Sequence, residues 1–271
     1  VMDIAWNGSI WVAVGQGNNS IAYSNNGINW TGSSNGESIF TSSCYGIAWN
    51  GSIWVAVGGG NNRIAYSYDG MNWTGSSIGN TIITSTGYGI AWSGSLWVAT
   101  GTMNSVSGSV AAYSTDGNNW IAVPNSNSVF NNNYGLRAIA STALIPNTMA
   151  SIPHMIVALG SAIGNASGLN SIVYSNDGMN WTPASGISSQ NNIGNSTTIF
   201  SVTGNDVAWN GSMWVAVGQG TNTIAYSING IYWYPSNSSL SIFSIGYGVA
   251  WNGSMWVAVG QGTNNTIAYS V

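Results

Sequence analysis

The chain has 271 residues, of which 44% are hydrophobic, and a net charge of −4. Only 3% of its residues are charged, against about 25% in ordinary soluble domains. Its two cations, Arg63 and Arg137, are too few for the Lys and Arg cluster that nucleic-acid binding requires. The apolar runs have the length of strands, which excludes a transmembrane helix. We therefore expect a folded protein with no nucleic-acid partner and no membrane insertion.

One twelve-residue phrase recurs along the chain, with AWNGSIWVAVGQ as its first copy. Close copies occupy residues 5–16, 48–59, 208–219 and 250–261, and a looser copy occupies 91–102. Residues 134–160 are the predicted sixth copy, with Ile139 and Ile156 at the two Trp positions. A period of about 43 residues is typical of propeller blades and other repeat arrays. We predict one domain over 1–271, with repeats at 1–43, 44–87, 88–133, 134–204, 205–246 and 247–271.

The second repeat shows which elements each repeat contains. Its short runs rich in Val, Ile, Trp and Tyr are residues 45–49, 53–57, 64–67 and 71–74. Asn-Gly and Asp-Gly pairs separate these runs, and glycine there supplies the positive φ of a tight hairpin turn. No stretch has a capped helical period, so we predict essentially no helix. The expected fold is all-β, a single propeller of six four-stranded antiparallel blades.

The last repeat ends after its third predicted strand, at residues 267–271. The sixth blade is therefore expected to lack its outer strand in this chain. Either a neighbouring subunit fills that edge by β-augmentation, or the strand lies in chain beyond Val271. Because Val1 begins inside a predicted strand without an initiator Met, the chain is expected to be a mature product or a fragment.

The end of each blade carries the pattern S-x-D-G-x-x-W, at residues 67–73, 114–120 and 175–181. It resembles the Asp-box repeat of sialidase-like propellers, S-x-D-x-G-x-x-W, with one residue fewer between Asp and Gly. The resemblance covers nearly the whole chain and implies a folding element distant from any active site. The expected turn residues are Asp69, Asp116, Asp177 and, with Asn in place of Asp, Asn26 and Asn229. The box tryptophans expected between blades are Trp30, Trp73, Trp120, Trp181 and Trp233.

The resemblance does not extend to an active site. A sialidase needs three arginines and a Tyr–Glu pair, whereas this chain has two Arg and one Glu. A general glycosidase needs two carboxylates. With Asp69, Asp116 and Asp177 assigned to turns and Glu37 to a loop, Asp3 and Asp206 remain, at equivalent positions in two repeats. They form either an acid–base pair or, as we favour, two strand-start caps. We therefore predict no catalytic residue, no cofactor and no enzyme.

His154 and Cys44 are the only His and Cys, so we predict no metal site. Cys44 is expected to be a small buried side chain rather than a reactive thiol.

Several residues are candidates for binding or modification. Tyr45, Tyr88, Tyr134 and Tyr247 precede the inner strand and form either an aromatic crown for stacking on glycans or, as we favour, packing between blades. The fourth repeat, with Arg137, His154 and insertions at 141–153 and 187–203, is a second candidate. N-x-Ser/Thr sequons at tight turns make four asparagines candidates for glycosylation: Asn7, Asn50, Asn210 and Asn252.

These features favour a non-catalytic structural or interaction module. We expect it to be secreted, on an extracellular, virion or cell surface. Its expected partners are further copies of itself, in a fibre, filament or coat, or other surface proteins. The alternative is a glycan-binding propeller lectin, and a carbohydrate-active enzyme is a distant third.

Overall fold

The computed structural model describes residues 1–104, 108–124, 126–129, 135–142, 154–161, 170–187, 193–195, 199–237, 239–262 and 265–270. The chain is an all-β propeller of six small antiparallel sheets, with 7% helix. The residues group into two compact units. The first, Val1–Pro124, holds three blades, and the second holds the other three, in the described residues from Ser126 onward.

In the first unit, blade one consists of β1 (Asp3–Trp6), β2 (Trp11–Val14), β3 (Ile21–Ser24) and β4 (Thr31–Gly32). The one-turn helix α1 (Gly36–Ile39) leads to blade two, which consists of β5 (Ser43–Trp49), β6 (Trp54–Gly59), β7 (Ile64–Ser67) and β8 (Thr74–Gly75). Helix α2 (Ser77–Ile82) leads to blade three, which consists of β9 (Thr86–Trp92), β10 (Trp97–Thr102), β11 (Ala111–Ser114) and β12 (Ile121–Ala122).

In the second unit, α3 (Ser126–Val129) precedes blade four, which consists of β13 (Leu136–Ser141), β14 (Ile156–Gly160), β15 (Ile172–Ser175) and β16 (Thr182–Pro183). The strands β17 (Ser185–Ile187) and β18 (Ile193–Asn195) follow. Blade five contains β19 (Thr203–Trp209), β20 (Trp214–Gln219), β21 (Ile224–Ser227) and β22 (Tyr232–Pro235). After α4 (Ser239–Ile242), blade six has β23 (Ile245–Trp251), β24 (Trp256–Gln261) and β25 (Ile267–Ser270).

The Asn-Gly-Ser turns form the predicted hairpins between the first and second strands. In blade two the Asn50 side-chain oxygen accepts the backbone N–H groups of Ser52 and Ile53, at 3.0 and 2.9 Å. Gly51 has a φ of +100°, which residues with a Cβ rarely adopt. The turn pairs Trp49 with Trp54, and this pairing sets the register of the whole hairpin. The hairpin prediction is confirmed.

The register of blade four corrects one alignment made from the sequence. Ser141 pairs with Ile156, as Trp49 pairs with Trp54 in blade two. Ser141 therefore occupies the first Trp position, and the placement of Ile139 there was wrong. Ile156 does occupy the second Trp position. The sequence did not reveal this because the Ala-Ser pair that replaces Ala-Trp keeps no aromatic marker.

Two further details differ from the prediction of helix-free, four-stranded blades. Helices α1 to α4 have four to six residues each and lie in connections between blades, too short to show a helical period in the sequence. In α2, Ser76 is the N-cap and accepts the backbone N–H of Gly79 at 3.0 Å. Blade five is extended to a six-stranded sheet, because β17 pairs parallel with β22 and β18 pairs with β17. Blade six has three described strands.

Box tryptophans pack in the cores of the two units. Trp73, Trp120 and Trp181 are each 3% exposed and Trp233 is fully buried. Trp73 shares a core cluster with Ile10 and Val12 of the preceding blade, as predicted. Trp30 of blade one is the exception, since 39% of it is exposed, and its predicted burial was wrong.

Candidate functional site

The Asp-box aspartates are bound inside their own turns. Asp69 Oδ1 accepts the Ser67 hydroxyl and the backbone N–H groups of Met71 and Asn72, at 3.0, 2.8 and 2.8 Å. Its Oδ2 accepts the Asn72 amide at 2.8 Å. Desolvation raises the pKa of Asp69, but hydrogen bonds from Asn72, Met71 and Ser67 outweigh it and lower the pKa to about 2.

Asp116 and Asp177 accept the same set of hydrogen bonds in their own boxes. Asn26 and Asn229 replace them in blades one and five and accept the two backbone N–H groups with the amide oxygen. An amide therefore serves in the same turn as a carboxylate. These five side chains act as turn elements, and their charge is not what the turn requires.

Asp3 and Asp206 each connect two neighbouring blades of one unit. Asp3 Oδ2 accepts the backbone N–H of Ile47 at 2.9 Å, and Asp206 Oδ2 accepts that of Val249 at 2.9 Å. Their positions are equivalent by register, since Asp3 pairs with Val14 and Asp206 with Val217. Burial raises the pKa of Asp3 to about 6, against the hydrogen bonds from Ile47 and Ile4, which lower it. Each carboxylate serves as an inter-blade acceptor, a role the sequence did not reveal.

Asn35 is a second inter-blade contact that the sequence analysis missed. Its side-chain amide donates to the Trp73 carbonyl at 2.7 Å, and its oxygen accepts the Trp73 N–H at 3.0 Å. The neighbouring Ser33 hydroxyl donates to the Met71 carbonyl at 2.6 Å. The box of blade two is thus held by the connection that follows blade one. The only available signal was a Ser and an Asn two residues apart, which is common in this Ser- and Asn-rich chain.

The tyrosines proposed as a crown lie at β-bulges of the first strands. The register shifts at Tyr45, at Tyr88 and at Tyr247, each of which faces no single partner on the second strand. Tyr134 lies outside the described residues. In blades four and five the bulge position belongs to Arg137 and Asn205 instead. Tyr, Arg and Asn thus all occur at this bulge position in the described blades.

The contacts of these bulge residues are largely with the protein itself. The rings of Tyr45 and Tyr88 lie 5.0 Å apart at 58°, and both are half-buried. The Tyr247 hydroxyl donates to the Gln261 side chain at 2.9 Å, although 55% of the residue is exposed. Tyr45 and Tyr88 therefore pack against each other between neighbouring blades, whereas the ring of Tyr247 stays accessible to solvent.

The remaining ionisable groups do not converge. The Arg63 guanidinium donates to the carbonyls of Gly60, Thr84 and Ser85. By contrast, the side chains of Arg137, His154 and Glu37 are exposed.

Cys44 is fully buried, as predicted. Its burial, and to a smaller extent the nearby Asp3 charge, raises the pKa of its thiol well above the usual value. Among the described residues no group of three His, Cys, Asp or Glu side chains is placed to hold a metal ion. No helix in that part of the chain is long and apolar enough to span a bilayer.

The four sequon asparagines are turn residues. The side-chain oxygens of Asn7, Asn50, Asn210 and Asn252 each accept the backbone N–H groups two and three residues later. Asn252 is exposed and the other three are partly exposed. Their glycosylation stays a prediction.

The second unit contains an apolar groove of about 440 Å³ between blades five and six. Blade five contributes Met213 and Val215 to its lining, and blade six contributes Trp256, Ala268 and Tyr269. No ionisable side chain other than tyrosine lines it. The groove therefore suits an uncharged, aromatic or aliphatic group rather than a charged ligand.

No family model and no curated protein sequence matches the chain. Three solved structures that resemble it have propeller folds. A structure of YCF48 bound to D1 peptide matches with a TM-score of 0.58 at 14% identity, over 98% of this chain and 78% of that one. The GH74 enzyme of Niastella koreensis matches with a TM-score of 0.63 at 18% identity, over 100% of this chain and 36% of the enzyme. A chain of the nidogen/laminin complex matches with a TM-score of 0.53 at 12% identity, over 95% and 84%.

At these identities the likeness defines the fold alone. Fold and comparisons together define a six-bladed β-propeller with propeller-type neighbours. Propellers carry many unrelated functions, so the role has to be argued from the surface and the side chains of this chain.

Proposed function

We propose that this propeller is a non-catalytic interaction module on an extracellular, virion or cell surface, built from repeats of Asp-box type, and that it associates with itself or with other surface proteins. The observation that carries the proposal is the exposure of large apolar side chains in a nearly uncharged protein. On blade one the exposed residues include Ile4, Trp6, Ile28 and Trp30. On blade six they include Tyr247, Val259, Ile267 and Tyr269. Apolar exposure of this kind is typical of protein contact surfaces.

We propose that the protein is not catalytic because most of its carboxylates already accept hydrogen bonds from the backbone. The chain has six acidic residues. Three are bound within their own turns, and Asp3 and Asp206 accept backbone N–H groups of the next blade. Glu37 is exposed on the one-turn helix α1. A hydrolytic acid–base pair needs two carboxylates directed at one bond, and here the candidates are engaged with backbone.

Two of the structural neighbours are in complexes, YCF48 with a peptide and nidogen with laminin. Those partners belong to those proteins, and their presence in complexes with propellers of this fold supports the proposal of an interaction role. For this chain they favour polypeptide partners. A glycan-binding role is the second candidate, because the ring of Tyr247 is accessible for stacking.

Sedimentation velocity over a wide concentration range tests the proposal. We expect the weight-average mass to rise with concentration and this rise to persist in high salt, because apolar contacts are insensitive to screening. A monomer at the highest concentration would contradict self-association. Turnover of glycosides that disappears in Asp3→Asn or Asp206→Asn would overturn the non-catalytic assignment. Glycan-array binding lost in Tyr247→Ala would favour the lectin.

A further inference from the structure

Asparagine or aspartate followed by glycine occurs ten times in the chain, in three kinds of surroundings. Four of these pairs form the hairpin turns and begin at Asn7, Asn50, Asn210 and Asn252. Five lie in the boxes and begin at Asn26, Asp69, Asp116, Asp177 and Asn229. The tenth begins at Asn35. Such pairs are chemically unstable, because glycine has no Cβ to shield its backbone nitrogen from the preceding side-chain carbonyl.

In the boxes a serine holds the glycine nitrogen. The Gly27 N–H donates to the Ser24 hydroxyl at 2.9 Å, and the Gly230 N–H donates to the Ser227 hydroxyl at 2.9 Å. The same bond recurs in the three Asp-Gly boxes at 2.8 to 2.9 Å, from Gly70 to Ser67, Gly117 to Ser114 and Gly178 to Ser175. An attack by the nitrogen on the side chain removes its proton and therefore breaks this bond. The box opposes the reaction at all five pairs.

The hairpin turns hold the asparagine side chain in the same way as the boxes do. The Asn50 side-chain oxygen accepts the N–H groups of the two residues after Gly51. The Asn26 oxygen accepts those of the two residues after Gly27. The difference between the two kinds of turn therefore lies in the glycine and not in the asparagine.

The glycine nitrogen of the hairpin turns is unrestrained. Four backbone N–H groups make no hydrogen bond to the described residues, those of Gly8, Gly51, Gly211 and Gly253. A Cβ would meet no atom within 4 Å at three of these positions, Gly8, Gly211 and Gly253. The space around them leaves room for a tetrahedral intermediate and for water.

Asn35 is restrained through its side chain instead. Its amide donates to the Trp73 carbonyl at 2.7 Å, and its oxygen accepts the Trp73 N–H at 3.0 Å. Both ends of the amide are thus bound to the next blade. The side chain cannot turn towards the nitrogen of Gly36 without losing these two bonds.

We propose that the four hairpin asparagines are sites of spontaneous deamidation, and that the boxes and Asn35 are protected. The glycine nitrogen forms a bond to Cγ of the preceding asparagine, the Cγ–Nδ2 bond breaks, and Nδ2 leaves as ammonia with the proton that the glycine nitrogen gives up. Water then opens the succinimide ring at either carbonyl, which gives aspartate or isoaspartate. The reaction needs only water, and it is faster at higher pH because the nitrogen attacks in its deprotonated form.

The two products have different effects on the turn. Aspartate keeps it, because Asp69 accepts in its box the same two backbone N–H groups that Asn26 accepts with an amide. Isoaspartate adds a methylene group to the backbone and displaces the register that pairs Trp49 with Trp54. Either product adds one negative charge to a chain of net charge −4. Either product also removes the N-x-Ser sequon, so deamidation and glycosylation of one asparagine exclude each other.

Prolonged incubation of the full chain at mildly alkaline pH, followed by mass spectrometry of its peptides, tests the proposal. The protein is produced in bacteria, so that no glycan blocks Nδ2. The digest has to leave long peptides, because the sequence AWNGS is identical at all four hairpins. We expect each hairpin asparagine to react about tenfold faster than Asn26, Asn35 and Asn229, because the protected pairs first lose a hydrogen bond. Equal rates at hairpin and box asparagines overturn the proposal.

The box of blade one separates hydrogen bonding from exposure, because Gly27 is exposed whereas Gly230 is buried. Ser24→Ala removes the acceptor of the Gly27 N–H and should speed the reaction at Asn26 about tenfold. Asn229, whose serine is unchanged in this variant, should keep its rate and is the matched control. An unchanged rate at Asn26 refutes protection by the serine.

The unfolded chain provides a second control that needs no variant. In concentrated urea all seven Asn-Gly pairs should react at similar rates, because the hydrogen bonds that distinguish them are lost. Differences that persist in urea would show that the neighbouring residues select the sites, and they would overturn selection by the fold.

Discussion

The box tryptophans provide a direct measurement of inter-blade packing, because one of them is exposed. We compare Trp73→Ala with Trp30→Ala. Both indoles donate to the carbonyl of a box glycine, Trp73 to Gly70 at 3.2 Å and Trp30 to Gly27 at 3.1 Å. The two substitutions therefore remove the same hydrogen bond and differ mainly in buried area.

Trp73 is 3% exposed and Trp30 is 39% exposed. Replacing a buried Trp by Ala costs about 3–5 kcal/mol, which includes the cavity that remains. We expect that loss in the free energy of unfolding for Trp73→Ala. For Trp30→Ala we expect about 1–2 kcal/mol, because less apolar area returns to water and solvent enters the vacated space.

Urea denaturation followed by far-UV circular dichroism measures both losses. The slope of the unfolding free energy against urea concentration should be the same in both variants as in the unmodified protein. Equal losses for the two variants would refute the packing difference between the blades. A loss below about 1 kcal/mol for Trp73→Ala would show that its indole lies on the surface in solution.

Three further predictions concern the turns and the inter-blade acceptor. Asp69→Asn should cost under about 1 kcal/mol and Asp69→Leu about 1–3 kcal/mol in thermal unfolding, because the box needs an acceptor rather than a charge, and equal losses would contradict the turn role. Gly70→Ala should cost about 2–4 kcal/mol and Gly8→Ala about 1 kcal/mol, since both have positive φ but only the former Cβ meets Ile10; similar values would refute the steric account. Because the folded pKa of Asp3, about 6, lies above its unfolded value, stability should fall by about 1–3 kcal/mol as pH rises from 4 to 7. In urea titrations at several pH values, Asp3→Asn should remove this fall. If the variant keeps the pH profile of the unmodified protein, the raised pKa of the Asp3 carboxyl is refuted.

The sequence by itself determined the repeat, the strands within it and the turns. Glycine at Asn-Gly and Asp-Gly positions, alternating with short Val- and Trp-rich runs, admits few local structures, so Gly51 and Asp69 were placed correctly before any fold was known. These are local constraints of φ and of hydrogen bonds two or three residues apart, which a sequence records directly.

Only the tertiary structure decided how the blades meet. Asp3 bonds to Ile47 and Asn35 to Trp73, across about 40 residues of chain, and no local pattern reports such pairs. The register of blade four required the partner strand, since Ser141 carries no aromatic signal. Trp30 is 39% exposed although its box matches the buried ones in sequence, so the local pattern does not report this difference. Local chemistry thus determined each blade, and burial between blades determined which identical residues became core and which became surface.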